Sequence, residues 1–373
     1  MKRLAFVVNV DWFFISHRLP IAIEAVKRGY DVHVVCADTG KVSEIEKHAI
    51  TVHRINLARS GTNVFREIRT FLDIYKVCMR VKPDIIHGIT IKPVVYSSLV
   101  ARLLDIKKRV FSISGLGYVF IDQGLKAKII RKLVSFLYRL GLNNSKSLVI
   151  FQNSSDMSVF KKQNIVKHEQ CRLIRGSGVD LTVYKYYPVH PSDKPIVMFL
   201  ARLLKDKGVV EFCEAAHRLK QAGSKAEFVL VGDLDPHNPN SLDEASLEMY
   251  QSRGDVIHWG YSTDVAAVIA KSTIMVLPSY REGLPKSLIE AAAVGRAVVT
   301  TNVPGCRDAI EPGISGVLVP ARQVEPLIEA IDDLVKDFVK CKKMGELGRK
   351  LAEHAFDIHS VVHKHFRIYE EVN

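Results

Sequence analysis

Short apolar runs alternate with amphipathic stretches along most of the chain. Leu4–Val10, Val32–Cys36 and Thr51–Leu57 read as strands, with a helical pattern near His17–Arg28 between the first two. The alternation continues through a helix at Val64–Val81, a strand at Asp84–His87, a helix at Pro93–Leu104 and a strand at Arg109–Ile113. An amphipathic helix over 126–140, a strand at Leu148–Gln152 and a helix at Ser154–Lys162 follow. Strands that recur with a helix between them predict parallel sheets covered on both faces, with ligands outside the carboxyl ends of the strands. After Arg175–Tyr184 and the proline-rich Pro188–Pro195 a second series begins. Its strands are Ile196–Leu200, Glu227–Val231, Val256–Trp259, Thr273–Leu277 and Ala297–Thr301, and its helices include Val209–Gln221, Asp264–Lys271, Val324–Val335 and Phe338–His354. The pattern therefore predicts an α/β protein of two Rossmann-like, doubly wound domains, 1–187 and 188–355, followed by a last helix in 356–373.

Charge divides the chain at the same place. Residues 1–190 hold 31 Lys+Arg against 14 Asp+Glu, net +17, whereas 191–373 hold 22 against 26, net −4. A basic half beside a mildly acidic one points the first half toward phosphates, of anionic lipid or of nucleic acid. Nucleic acid is disfavoured, because no reading helix or aromatic platform stands on the basic stretches. Six cysteines without a Cys-x-x-Cys pair indicate neither a zinc site nor a disulfide framework, which suits a reducing cytoplasm. No run is long and apolar enough for a membrane span. In the 126–140 helix, Ile129, Leu133, Phe136, Leu137 and Leu140 share one face and Lys128, Arg131, Lys132 and Arg139 another. That pattern fits a cover helix on the first sheet or a helix that lies on an anionic membrane surface.

The chemistry concentrates in Pro278–Glu290, Pro-Ser-Tyr-Arg-Glu-Gly-Leu-Pro-Lys-Ser-Leu-Ile-Glu. It follows a buried-looking strand and opens a helix. Pro285 suits the first helical position, and Gly283 lets a ligand approach the backbone beside Leu284. The first-turn N–H groups near Lys286, Ser287 and Leu288 are placed to meet a diphosphate. Glu282 would repel that charge and so suits the neutral hydroxyls of an adjoining sugar; Glu290 has the same chemistry one turn on. In the loop after Ile196–Leu200, Arg202 and Lys207 flank another helix start, where two cations oppose the dipole unless an anion lies between them. Asp233 and Asp235 form an Asp-x-Asp pair that reads as a loop rather than a metal site, since side-chain cations already serve the diphosphate.

Two glutamates spaced in this way around a helix start, with the Arg/Lys pair, resemble the signature of retaining glycosyltransferases of family 4. That family has the GT-B fold, two facing Rossmann-like domains with a cleft between them and a last helix that crosses back onto the first domain, a role that the helix in 356–373 fits. The resemblance implies that Glu282 contacts the donor hexose, Glu290 the nucleotide ribose, and Arg202 and Lys207 the diphosphate of a UDP-sugar, with no metal or other cofactor. His258–Tyr261, including Trp259, falls where the family holds the base. In the first half, Gly115-Leu-Gly117 followed by Phe120-Ile-Asp122-Gln-Gly124 and a basic helix looks like bacterial transferases that add an N-acetylhexosamine to undecaprenyl-diphosphate-linked sugars. Gly115, Gly117, Asp122 and, at the end of the first loop, Arg18 are the acceptor-side candidates, although Asp122 fits a helix cap equally well. The sequence departs from the family in having no glycine in Asn9–Arg18 and no histidine between His87 and His168. The implied setting is the inner face of the cell membrane, peripherally attached, in surface-polysaccharide or glycoprotein glycan assembly. A UDP-sugar epimerase of similar shape and a non-catalytic basic membrane- or nucleic-acid-binding protein are the alternatives.

Overall fold

The computed structural model describes residues 1–57, 63–116, 124–236 and 238–371, with the backbone alone at 125–127. The chain forms two compact units, 1–177 joined by the C-terminal segment from His359, and Gly178–Ile358. The division falls at Ser177, ahead of the expected 187, because the following segment is tied to the second unit. Val179 N–H donates to Phe356 O (2.8 Å), Ile358 N–H to Val179 O (3.0 Å) and Tyr187 N–H to Val294 O (3.1 Å). Gly178–Tyr187 and 356–358 therefore belong with the second sheet.

Among the described residues the first unit contains β1 (Arg3–Val10), β2 (Asp31–Ala37), β3 (Thr51–Arg54), β4 (Ile85–Ile89), β5 (Lys108–Ile113), β6 (Ser147–Phe151) and β7 (Cys171–Leu173). They form one parallel sheet in the order β3-β2-β1-β4-β5-β6-β7. Alternate side chains of a strand point to opposite faces. Accordingly Leu4, Phe6 and Val8 enter a core with the helices Asp11–His17, Leu19–Lys27 and Ile358–Glu371. Val7 enters the core on the other face, beneath Val64–Val81, Ile91–Leu103, Leu125–Leu142 and Ser154–Lys162.

The turn after β1 differs from the expected loop. A helix starts directly at Asp11 and stops at Arg18, since Pro20 has no N–H to continue the ladder. Asp11 is fully buried and accepts from the backbone N–H groups of Trp12, Thr39 and Lys41 (2.7, 2.7 and 2.9 Å) and from Thr39 Oγ1. Burial alone would raise its pKa, but these hydrogen bonds prevail and hold the carboxyl below its usual value.

The C-terminal helix is anchored in the first unit by buried polar groups. His87 Nδ1 is 2.7 Å from Tyr369 Oη and its Nε2 is 2.7 Å from Ser112 Oγ, while His365 Nδ1 lies 2.8 Å from Val361 O. Burial, then the neighbouring His365 and Arg18, pushes the His87 pKa far down; burial and Arg18 push that of His365 to about 3. Both rings are thus neutral when folded, whereas an unfolded histidine takes a proton below about pH 6.5. The unfolded chain then binds more protons between about pH 6.5 and 3. Stability falls on acidification by up to about 1.4 kcal/mol per pH unit for each histidine. Thermal melts from pH 7 to 5 should show a falling Tm, with a shallower slope in His365→Leu.

The second unit contains β8 (Ile196–Leu200), β9 (Glu227–Val231), β10 (Ile257–Gly260), β11 (Ile274–Leu277), β12 (Ala297–Thr301) and β13 (Gly316–Val319). Their order is β10-β9-β8-β11-β12-β13, again all parallel.

Candidate active site

In the second unit the strand order reverses between β8 and β11, so successive connections leave opposite faces of the sheet and open a crevice at the strand ends. The two stretches singled out in the sequence emerge there, side by side. Tyr280 N–H donates to Asp206 O (2.9 Å), which ties 201–208 to the turn after β11. Gly208, at φ +80°, permits this contact: a Cβ there would lie 2.2 Å from Pro278 O. On the other side Glu282 N–H donates to Pro304 O (3.1 Å), and a Cβ on Gly305 would lie 2.4 Å from Glu282 O. Glu282 is held from both flanks by backbone.

Its carboxylate is held as well. Lys207 Nζ and Ser279 Oγ (2.8 Å) both donate to Oε1, and the side chain keeps 11% of its surface exposed. Arg202 Nη1 donates to Asp235 at the end of the neighbouring loop; the Arg202 side chain is 42% exposed. Both cations thus have a carboxylate on one side and an open side besides. An ammonium carries three N–H donors and a guanidinium five, so each can hold its carboxylate and still meet an anion.

The helix Lys286–Val294 has Pro285 as its N-cap, one place ahead of the first helical position expected for it, and no side chain caps it. Leu288 N–H is already bonded to Pro285 O (3.2 Å), so the first-turn amides of Lys286 and Ser287 are the ones placed for an anion. The side chains of Leu284 and Leu288 are core, and any part they take in binding is through backbone. Glu290 is 5% exposed, with Lys286 Nζ 3.1 Å from Oε1. Tyr184 also hydrogen-bonds it: burial first, then the charge and hydrogen bond of Glu290, raises the Tyr184 pKa. Trp259, on edge strand β10, is 38% exposed with the Lys271 ammonium 5.7 Å from the ring centroid, and the neighbouring His258 ring lies 2.8 Å from Gly232 O.

Sequence reasoning passed over Asp206, Ser279 and Tyr184. Asp206 is held above the usual carboxylate range by burial, opposed by Lys207 and reinforced by Glu282, and its Oδ1 has no hydrogen-bond partner among the described residues. Ser279 lay in plain view within the active stretch, but nothing marks a serine as the orienter of a carboxylate three residues on. On the acceptor side Gly115 adopts φ +102°, as a glycine turn requires. Gly117 and Asp122 lie outside the described residues. Arg18, expected to meet an acceptor phosphate, is an interior residue, 2% exposed. Its Nη1 donates to His17 O (2.9 Å) and Ser177 Oγ (3.3 Å), and burial lowers its pKa to about 10.

Two parallel sheets of Rossmann type, the second gathering cations, carboxylates and an uncapped helix start at its switch point, define an α/β protein with a crevice suited to an anionic ligand. Residues 187–351 match the model of glycosyl transferases group 1 and residues 3–153 that of the glycosyl transferase 4-like family. The chain belongs to this family of glycosyltransferases and has its GT-B type of fold. The N,N'-diacetylbacillosaminyl-diphospho-undecaprenol alpha-1,3-N-acetylgalactosaminyltransferase of Campylobacter jejuni is 30% identical, over 99% of both chains. The capsular polysaccharide biosynthesis glycosyltransferase CapM of Staphylococcus aureus is 22% identical, over 88% of this chain and 87% of its own. Among solved structures, Anabaena HepE in complex with UDP and glucose superposes over 100% of both chains with a TM-score of 0.80, at 17% identity.

Proposed function

We propose that this glycosyltransferase moves an N-acetylhexosamine, GalNAc or GlcNAc, from a UDP-sugar to an undecaprenyl-diphosphate-linked saccharide, with retention of configuration. The observation that carries the donor half is the meeting of Lys207, Ser279 and Glu282, with Arg202 nearby, at the switch point of the second sheet. The acceptor half rests on the full-length relative that acts on an undecaprenol-diphosphate-linked sugar. Membership of a transferase family favours neither the epimerase nor the non-catalytic reading.

Arg202, Lys207 and the amides of Lys286 and Ser287 hold the diphosphate. Glu282 accepts from hexose hydroxyls, Glu290 faces the ribose, and the backbone at Gly283–Pro285 and Trp259 complete the donor site. The acceptor hydroxyl attacks the anomeric carbon on the side from which UDP leaves. Its proton passes to the departing phosphate oxygen as the C–O bond to UDP breaks. Catalysis is then positioning together with stabilisation of charge that grows on the leaving diphosphate. Because protein cations neutralise that charge, no metal is required. Turnover should persist in excess EDTA, and a strict need for added manganese would transfer the role to Asp233 and Asp235.

Access to a lipid acceptor is by peripheral attachment at the inner membrane face. No helix among the described residues is long and apolar enough to cross a membrane. The helix Leu125–Leu142 packs through Val134, Leu137, Tyr138 and Leu142, so Leu137 leaves the expected apolar row. Ile129, Leu133, Phe136 and Leu140 remain exposed at 62, 58, 59 and 46%, beside Lys128 and Lys132. The face that covers the sheet thus leaves a second, apolar and basic-flanked face open, which supports the membrane-facing reading.

A further inference from the structure

The helix Val64–Val81 divides into three sectors around its axis. Thr70, Ile74, Cys78 and Val81 are buried against the sheet. Phe65, Ile68, Leu72 and Met79, spaced to share one face, are exposed at 85, 52, 44 and 49%. Between these sectors, on the side toward edge strand β3, stand Arg66, Arg69, Lys76 and Arg80. They line a groove of about 1020 Å³ whose other wall is β3 and the segment to Leu57. None of the four makes an ion pair among the described residues, and Asp73 is the one carboxylate on their part of the helix. Arg54, on the opposite wall, is already paired with Asp38 and Glu46.

We propose that this groove is a headgroup site for anionic phospholipid, with Phe65, Ile68, Leu72 and Met79 entering the acyl layer beside it. A soluble anion would use the cations and leave the apolar row in water; a bilayer is the partner that satisfies both sectors at once. Position supports the same occupant. Ile91–Leu103 packs between Val64–Val81 and Leu125–Leu142 on one face of the first sheet, so two exposed apolar rows with flanking cations belong to the same side of the unit. Two such helices fix the orientation of the unit on a surface, which one helix leaves free to roll. The proposal extends the membrane attachment given above, takes support from the placement of Leu125–Leu142 and does not depend on the transfer chemistry.

The test is vesicle binding by the full chain, read without activity. With vesicles of phosphatidylglycerol in phosphatidylcholine, Arg69→Glu/Lys76→Glu/Arg80→Glu should lower the partition coefficient at least 100-fold, about fivefold or more for each charge removed. Phe65→Ser/Ile68→Ser/Leu72→Ser should lower it at least tenfold, and circular dichroism should show both variants folded. Each loss should add to that of Lys128→Glu/Arg131→Glu/Lys132→Glu in the other helix. Phe65→Trp should give a blue-shifted emission on vesicle addition, quenched by brominated acyl chains. Three results overturn the proposal: unchanged vesicle binding in both helix 64–81 variants, an emission of the Phe65→Trp variant that is indifferent to brominated lipid, or a loss confined to the cation variant together with displacement by inorganic polyphosphate. A shift in oligomeric state with vesicle binding intact would assign the face to protein contact instead.

Discussion

Glu282→Gln should lower kcat/KM for sugar transfer by about 10²–10³-fold while leaving UDP affinity within a few-fold and the Tm nearly unchanged. The carboxylate accepts from Lys207 and Ser279 on one oxygen, which leaves its other oxygen for the hydroxyls of a bound hexose. An amide keeps the shape and the backbone contacts at Pro304 and Gly305 but loses charge-assisted acceptance, which is worth more in a closed site than in water. UDP alone lacks the hexose, so its binding should be spared or slightly tightened as Lys207 turns wholly to phosphate. Glu282→Ala should go further and abolish measurable transfer. Near-normal turnover in either variant would remove Glu282 from the donor site.

The second large effect falls on nucleotide binding itself. Arg202→Ala and Lys207→Ala should each weaken UDP by about 10–100-fold, the range for a lost hydrogen bond between charged groups. Asp235 makes this prediction sharper. Its pairing with Arg202 competes with any anion for the same guanidinium, so Asp235→Ala should tighten UDP by a few-fold. Titration calorimetry separates the three variants. Equal UDP affinity in all of them would return Arg202 and Lys207 to the status of surface charge.

Much of this architecture is written in local pattern. The βα alternation is legible because buried parallel strands are nearly continuous apolar runs, as at Ile196–Leu200 and Ala297–Thr301, where period and length speak together. The stretch from Pro278 to Glu290 is legible because a strand, a glycine turn and a proline-led helix start are all short-range signals. The missed features depend on distant partners. Strands β7 and β13 are short edge pairings with little pattern of their own. The helix at Asp11 has no side-chain cap to announce it, since its N-cap position is held by Val10, which has no acceptor in its side chain. Arg18 looks in the sequence like any arginine in the loop that follows a strand; only the folded unit shows it at a helix end, buried against Ser177. In Leu125–Leu142 a helical wheel finds an apolar face but does not say which part of it meets the sheet, so it groups Leu137 with residues that stay exposed.

The most direct test of the central claim is incubation of the protein with a panel of UDP-sugars and a short-chain polyprenyl-diphosphate-linked saccharide, followed by mass spectrometry and NMR of the lipid product. The account predicts that a UDP-N-acetylhexosamine is consumed in proportion to acceptor, in EDTA, and that the new linkage is α, the configuration of the donor. A β-linked product, or UDP-sugar turned over to its epimer with no sugar gained by the lipid, would contradict it.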